Sequence, residues 1–213
     1  MIKDNFWPSY ADLMTSLFFV MMVLYVLTFV KLKHDQDIFR VDAQRYQKLK
    51  DIEKSLSYLD QEYFEFDDEN KRYRMKTDMQ FRSGSYDIND IPDNQRSELR
   101  EAGRELYELI STLAKDNPDV SYVIVLEGNT AHQKINGVWN YESMPDLGYN
   151  LSYSRALSLY NFWRARGYDF KGFDNCEILI AGSGYFGKSR DKRDESKNKK
   201  FTIQITGNIG QFK

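Results

Sequence analysis

The sequence predicts an α+β protein with a single N-terminal transmembrane helix, a helical connector and a C-terminal α/β sandwich whose helices lie on one face of a mixed sheet. Three observations predict it. Residues 13–30 (LMTSLFFVMMVLYVLTFV) carry no charged side chain. From residue 31 to about 59 the chain is polar, helix-permissive and free of Pro and Gly. Beyond that, short apolar runs alternate with segments of helical period, punctuated by Gly and Pro.

Composition narrows the function. A length of 213 residues suits one domain with an appendage. Net charge is −2, which argues against a nucleic-acid surface. A single cysteine, Cys176, excludes a disulfide framework and a Cys-based zinc cluster. His34 and His132 stand far apart and form no metal set or Cys–His pair with it. No catalytic set is recognisable, so the sequence predicts no enzyme, no cofactor and no metal.

The run at 13–30 spans ~27 Å as a helix, about one bilayer core. Its polar side chains are Thr15, Ser16, Tyr25 and Thr28, all tolerated in membrane helices. Phe6, Trp7 and Tyr10 suit an interfacial belt. A cleaved signal would have a shorter apolar region, ~7–15 residues, and a small-residue cleavage site. Here Lys31-Leu32-Lys33-His34 follows instead. Lys31, Lys33 and Arg40 on one side, against Lys3, the terminal amine and Asp4 on the other, weakly favour a cytoplasmic C-terminal side.

Asp12 adjoins the span. As Ser9-Tyr10-Ala11-Asp12 it fits a capping box, with Ser9 at the N-cap and Asp12 at N3. The other reading starts from cost. A carboxylate at membrane depth is expensive, faces a bundle interior or a water path, and carries ions. Thr15 and Ser16, one turn on, can help form that path. The stretch Phe6-Trp7-Pro8-Ser9-Tyr10-Ala11-Asp12-Leu13-Met14-Thr15 resembles the membrane lead-in of MotB-type stator subunits, and is similar in particular to the ZorB subunits of Zorya anti-phage defence systems. The resemblance implies that Asp12 carries a proton or sodium ion. It also implies a dimer of the chain inside a ring of a polytopic MotA- or ZorA-like partner. The N-terminus would then be cytoplasmic, against the charge bias.

In the connector, Leu49, Ile52, Leu56, Leu59, Tyr63 and Phe66 are spaced 3, 4, 3, 4, 3. That stripe fits either an amphipathic helix packed on its own domain or a parallel two-stranded coiled coil. Helix is expected to about Leu59 and strand after it, with a β-hairpin over residues 62–81 as the alternative. Next come a strand at 73–81, a helix at 95–115 ended by Asp116-Asn117-Pro118, and a buried strand at 122–126. A loop without period follows at 130–148, then a helix at 151–166 stopped by Gly167 and a strand at 177–181. A polar loop at 183–198, holding a short helix, leads to a last strand at 201–206; its basic stretch at 188–200 reads as a solvated loop, with contact to an anionic wall polymer as the alternative. His132 is expected on an exposed loop, with ligand contact beside Thr130 as the alternative, and Cys176 as a small buried hydrophobe.

This pattern resembles the OmpA-like peptidoglycan-binding domain over roughly residues 70–210. Glu127-Gly128-Asn129-Thr130 resembles that family's Glu-Gly-His-Thr. Leu151-Ser152 with Arg155-Ala156 resembles its Leu-Ser-x-x-Arg-Ala helix start, and Asn198-Lys199-Lys200-Phe201 its Asn-Arg-Arg-Val. The family grips the charged ends of the peptidoglycan diamino acid with an Asp and the helix Arg. Here Arg155 is present and Ala131 stands at the Asp position. An ammonium would need Glu127, Glu142 or Asp146 as its counter-charge. The resemblance implies peptidoglycan binding by Arg155, Thr130, Asn129 and Ser152. It divides the chain into a cytoplasmic lead-in (1–12), the inner-membrane span (13–30), the connector (31–60) and a periplasmic OmpA-like domain (61–213). A passive wall-binding tether is the alternative to a motor subunit.

Overall fold

The computed structural model describes residues 6–59, 62–77, 79–141 and 144–209. Lys3, Asp4 and Glu142 lie outside them, as do the side chains of Phe6 and Trp7. The chain divides into two compact units, Met1–Lys50 and Asp51–Lys213.

The first unit is helical. Its described residues belong to α1 (Phe6–Leu56), whose sequence has no Pro or Gly after Pro8 in its first turn. Every side chain over residues 10–34 is exposed. Among the described residues this is the one helix long and apolar enough to cross a membrane. In hydrocarbon such a surface is well solvated, because the helix pairs its own backbone groups.

The second unit is an α+β sandwich. Its elements are β1 (Phe64–Asp67), β2 (Arg72–Met75), α2 (Asp93–Asp116), β3 (Val120–Gly128), β4 (Gln133–Ile135), β5 (Val138–Asn140), α3 (Pro145–Arg164), β6 (Cys176–Gly182) and β7 (Phe201–Ile209). The five-stranded sheet has the order β1-β2-β7-β3-β6. β3 pairs parallel with β6 and antiparallel with β7, so the sheet is mixed. β3, between β7 and β6, alternates along its length: Val120, Tyr122, Ile124, Leu126 and Gly128 are buried, and the residues between them are less so. α2 covers that face with Leu99, Leu106 and Ile110, and α3 with Ala156, Leu159 and Trp163, all fully buried at helical spacing. The Trp163 indole N–H donates to the Leu99 carbonyl at 2.7 Å and ties the two helices together.

Several expectations change. The middle of the stripe, Ile52, Leu56 and Leu59, is buried in this unit's own core, with Ile52 Cδ1 close to Gly207 of β7, while Leu49 and Phe66 at its ends are exposed. These three residues therefore face their own sheet and not a partner helix. Helix ends at Leu56, and the segment after it forms the β1–β2 hairpin. The strand expected over 73–81 stops at Met75. Met79 and Phe81 beyond it are buried without a ladder, which explains their strand-like composition. The expected loop at 130–148 holds the β4–β5 hairpin, turned by Asn136 (φ 51°) and Gly137 (φ 82°). Two consecutive positive φ values are those of a type I′ turn, for which Asn-Gly is the preferred pair. α3 starts at Pro145 rather than Leu151, since Pro suits the first helical turn.

Candidate functional site

A close approach of helix to sheet positions the site. Gly128 ends β3 and pairs in register with Gly182, which ends β6. A Cβ on Gly128 would lie 2.0 Å from the Ser152 carbonyl oxygen, and one on Gly182 2.4 Å from the Tyr153 nitrogen. The two glycines make a notch into which the middle of α3 sinks. One turn further on, α3 delivers Arg155 beside Thr130, the second residue past β3.

Arg155 is 2% exposed. Its Nε donates to the Ser85 carbonyl at 3.0 Å and its Nη1 to Thr130 Oγ1 at 3.1 Å. The guanidinium stacks over the Phe81 ring at 4.5 Å. Burial pushes it down to about 10, so it is charged at neutral pH. It lies in a cleft of about 350 Å³ that also takes in Ala131, Lys134, Trp139, Tyr185 and Lys199.

The loop after β6 closes one side. The Arg190 Nη1 donates to the Thr130 carbonyl at 2.6 Å, and its Nη2 pairs with Glu195. Glu195 also accepts the His132 backbone N–H at 2.8 Å, and its carboxylate lies 2.8 Å from His132 Nδ1. The His132 ring stacks on Tyr185 at 4.3 Å. His132 is therefore packed and not exposed, and it lines the cleft beside Thr130. The basic loop at 183–198 is anchored, with a short 3-10 turn at Glu195–Asn198, where a solvated loop is the sequence expectation. Cys176 is half-buried, and burial pushes its thiol up to about 11.

Burial tends to raise the Glu195 carboxyl, but the His132 and Arg190 hydrogen bonds outweigh it and hold the group below its ordinary value. The linkage sign follows. A lowered folded pKa contributes stability that is full above the unfolded value of 4.5 and is lost as pH falls through the folded value. Glu195→Gln is thus expected to lower Tm at pH 7 and to flatten the fall of Tm below about pH 4.5, read from thermal melts across pH. An unchanged acid limb would remove Glu195 from the loop's anchorage.

The predicted wall-binding residues separate here. Thr130 and Arg155 meet in the cleft. Asn129 is turned inward, its Oδ1 accepting from Ser183 Oγ at 2.6 Å. Ser152 is fully buried, donating to the Tyr149 carbonyl and accepting the Gly184 N–H at 2.9 Å. Neither lines the cleft. Glu127 is taken up by Arg72 and by the Thr202 hydroxyl at 2.8 Å. Asp146 is exposed and outside the cleft. The wall residues Trp139, Tyr185 and Ser83 carry no local signal in sequence. The Asn-Gly pair that folds Trp139 into place does.

In α1 the helix already includes Phe6, so Ser9 lies three residues inside it. Ser9 is not an N-cap, and Asp12 lies past the first turn, whose N–H groups alone lack partners. A capping box would need Ser9 at the helix start, and the helix begins ahead of it. Asp12, Thr15 and Ser16 share one helix face by their i, i+3, i+4 spacing. Thr15 Oγ1 donates to the Ala11 carbonyl at 2.8 Å and Ser16 Oγ to the Leu13 carbonyl at 2.9 Å. Neither hydroxyl spends its proton on Asp12, and both keep acceptor lone pairs on that face.

These features define a class: a chain with, among the described residues, one helix long and apolar enough to cross a membrane, leading to an α/β domain with a cationic cleft. No protein-family model matches it, and no curated protein does. Among solved structures it is similar to the periplasmic domain of Helicobacter pylori MotB, at 14% identity over 68% of this chain and 88% of that one, with a TM-score of 0.42. It is similar to a MotB-like protein from Desulfovibrio vulgaris at 10% identity, covering 77% and 94%, with a TM-score of 0.41. The peptidoglycan-associated lipoprotein of Burkholderia pseudomallei is similar at 13% identity, covering 58% and 83%, with a TM-score of 0.32.

Proposed function

We propose that the chain is the MotB-like subunit of an ion-driven motor in a bacterial inner membrane. The observation that carries this reading is Asp12, a carboxylate inside α1 beyond its first turn, at the head of an uncharged 18-residue run. Two copies cross the membrane within a ring of a MotA- or ZorA-like partner, N-termini in the cytoplasm and C-terminal domains in the periplasm. Each Asp12 takes up a proton or sodium ion from one side and releases it to the other. Thr15 and Ser16 line that path with hydroxyl oxygens. The C-terminal domain grips peptidoglycan through Arg155 and Thr130, so the ring turns against a fixed wall. A guanidinium suits this task because it can hold a carboxylate through two hydrogen bonds. The residues Phe6 to Thr15 support anti-phage defence as the motor's task.

Native mass spectrometry of the tagged chain, extracted from its own host in mild detergent, tests the architecture. The expected species holds two copies with several copies of one multi-span protein. A lone monomer or dimer, under conditions that preserve a known stator, would establish a passive wall-binding tether instead.

A further inference from the structure

The cleft's charged side chains favour an anion. Its charged lining is Lys134, Arg155 and Lys199, and no Asp or Glu lines it among the described residues. Ala131 supplies only a methyl group at its base. The nearby carboxylates are committed elsewhere, Glu195 to His132 and Arg190, Glu127 to Arg72 and Thr202. Of the Arg155 nitrogens, Nε and Nη1 are held by Ser85 and Thr130, and Nη2 has no protein partner among the described residues. A guanidinium N–H left without a protein partner can be met by a ligand oxygen. Lys199 is half-buried, and burial together with Arg155 and Lys134 holds its ammonium below the ordinary value. Positive charge is crowded here, met by the Trp139 ring under Lys134 at 4.5 Å and the Phe81 ring under Arg155 but by no carboxylate among the lining residues.

A free amino-acid end brings a carboxylate and an ammonium on one carbon. The carboxylate fits Arg155, but the ammonium would stand unpaired among three cations. Acylating that amine leaves a neutral amide and keeps the carboxylate. The Trp139 and Tyr185 rings, with Leu151, give the added acyl chain apolar walls.

Resting on the peptidoglycan reading above, we propose that the cleft selects a stem-peptide carboxylate whose neighbouring amine is acylated, the form that cross-linking produces, over the free zwitterionic end. The chain then anchors on the cross-linked fraction of the wall, which carries its tension, and passes over loose uncross-linked strands.

The test uses the full chain in detergent and two probes: a purified disaccharide-tetrapeptide with a free diamino-acid amine, and the same molecule N-acetylated at that amine. Titration calorimetry is expected to show the acetylated form binding about tenfold tighter or more. Ala131→Asp restores a counter-charge and is expected to reverse the preference. Lys199→Gln, at the side of the cleft, is expected to narrow it, and serves where Ala131→Asp does not fold. Equal affinities, or tighter binding of the free amine by the unaltered chain, would overturn this inference and leave wall anchoring standing. Binding of neither probe, with no sedimentation on whole sacculi, would overturn both.

Discussion

Asp12→Asn is expected to abolish ion-driven work and leave the assembly whole. The argument rests on charge and not on shape. Asn keeps the volume and hydrogen-bonding capacity of the carboxyl group but takes up no proton and neutralises no sodium ion. A carboxylate in a membrane helix is destabilising, by ~2.5–3.5 kcal/mol at the centre of a span. Asp12 lies toward one end, so its cost is smaller, and the substitution favours insertion. Loss of function in this variant therefore cannot be assigned to a failed span. The capping role offers no other explanation, because α1 already includes Phe6 and Asp12 lies beyond the turn whose N–H groups need partners. The measurements are ion flux in proteoliposomes holding the chain with its ring partner, phage plating on cells that carry the system, and the native mass of the complex. Flux and protection are expected at background with the mass unchanged. Full flux in Asp12→Asn would end the motor reading and leave the tether.

The candidate sites were unequally legible in the sequence, for physical reasons. α2 and the second half of α3 could be read because their apolar residues recur at helical spacing and one face of each is buried in the core. β3 could be read because a central strand is an apolar run between turn residues. The stripe from Leu49 to Phe66 could not be resolved. Over so short a length, periods of 3.5 and 3.6 residues differ too little to separate a partner helix from the chain's own sheet. Arg155 and Thr130 could be named from local motifs. Their surroundings could not, since Ser85, Tyr185 and Lys199 converge on them from segments far apart in the chain. The polar loop at 183–198 misled most. Charge patterning reads Arg190 and Glu195 as solvated, whereas each satisfies the other and together they hold His132 and the Thr130 carbonyl. The β4–β5 hairpin was present in the sequence as Asn136-Gly137, a short signal within a stretch of no clear period.

Gly128→Ala is expected to cost the second unit about 3 kcal/mol and to empty the cleft of its guanidinium. The added methyl would stand 2.0 Å from the Ser152 carbonyl oxygen, 2.9 Å from its carbon and 3.3 Å from the Ala156 nitrogen. All three are backbone atoms of α3, so no side chain can swing aside. Either α3 lifts away from β3 or the end of β3 leaves its register with Gly182 and Phe201. Both movements open the core around Ala156 and Leu159, which are fully buried. Both also carry Arg155 away from Thr130, breaking the 3.1 Å bond that aims it. For a unit of this size the loss corresponds to a fall in Tm of roughly 10 °C. Gly172→Ala is the matched control, since Gly172 has no positive φ and a Cβ there meets nothing within 4 Å. It should stay within ~0.5 kcal/mol of the unaltered chain. Thermal unfolding in detergent, followed by near-ultraviolet circular dichroism, compares the two, and sedimentation with sacculi reads the cleft. A Gly128→Ala chain as stable as the control would place α3 farther from β3 than the notch allows. The same glycine would then have no part in presenting Arg155.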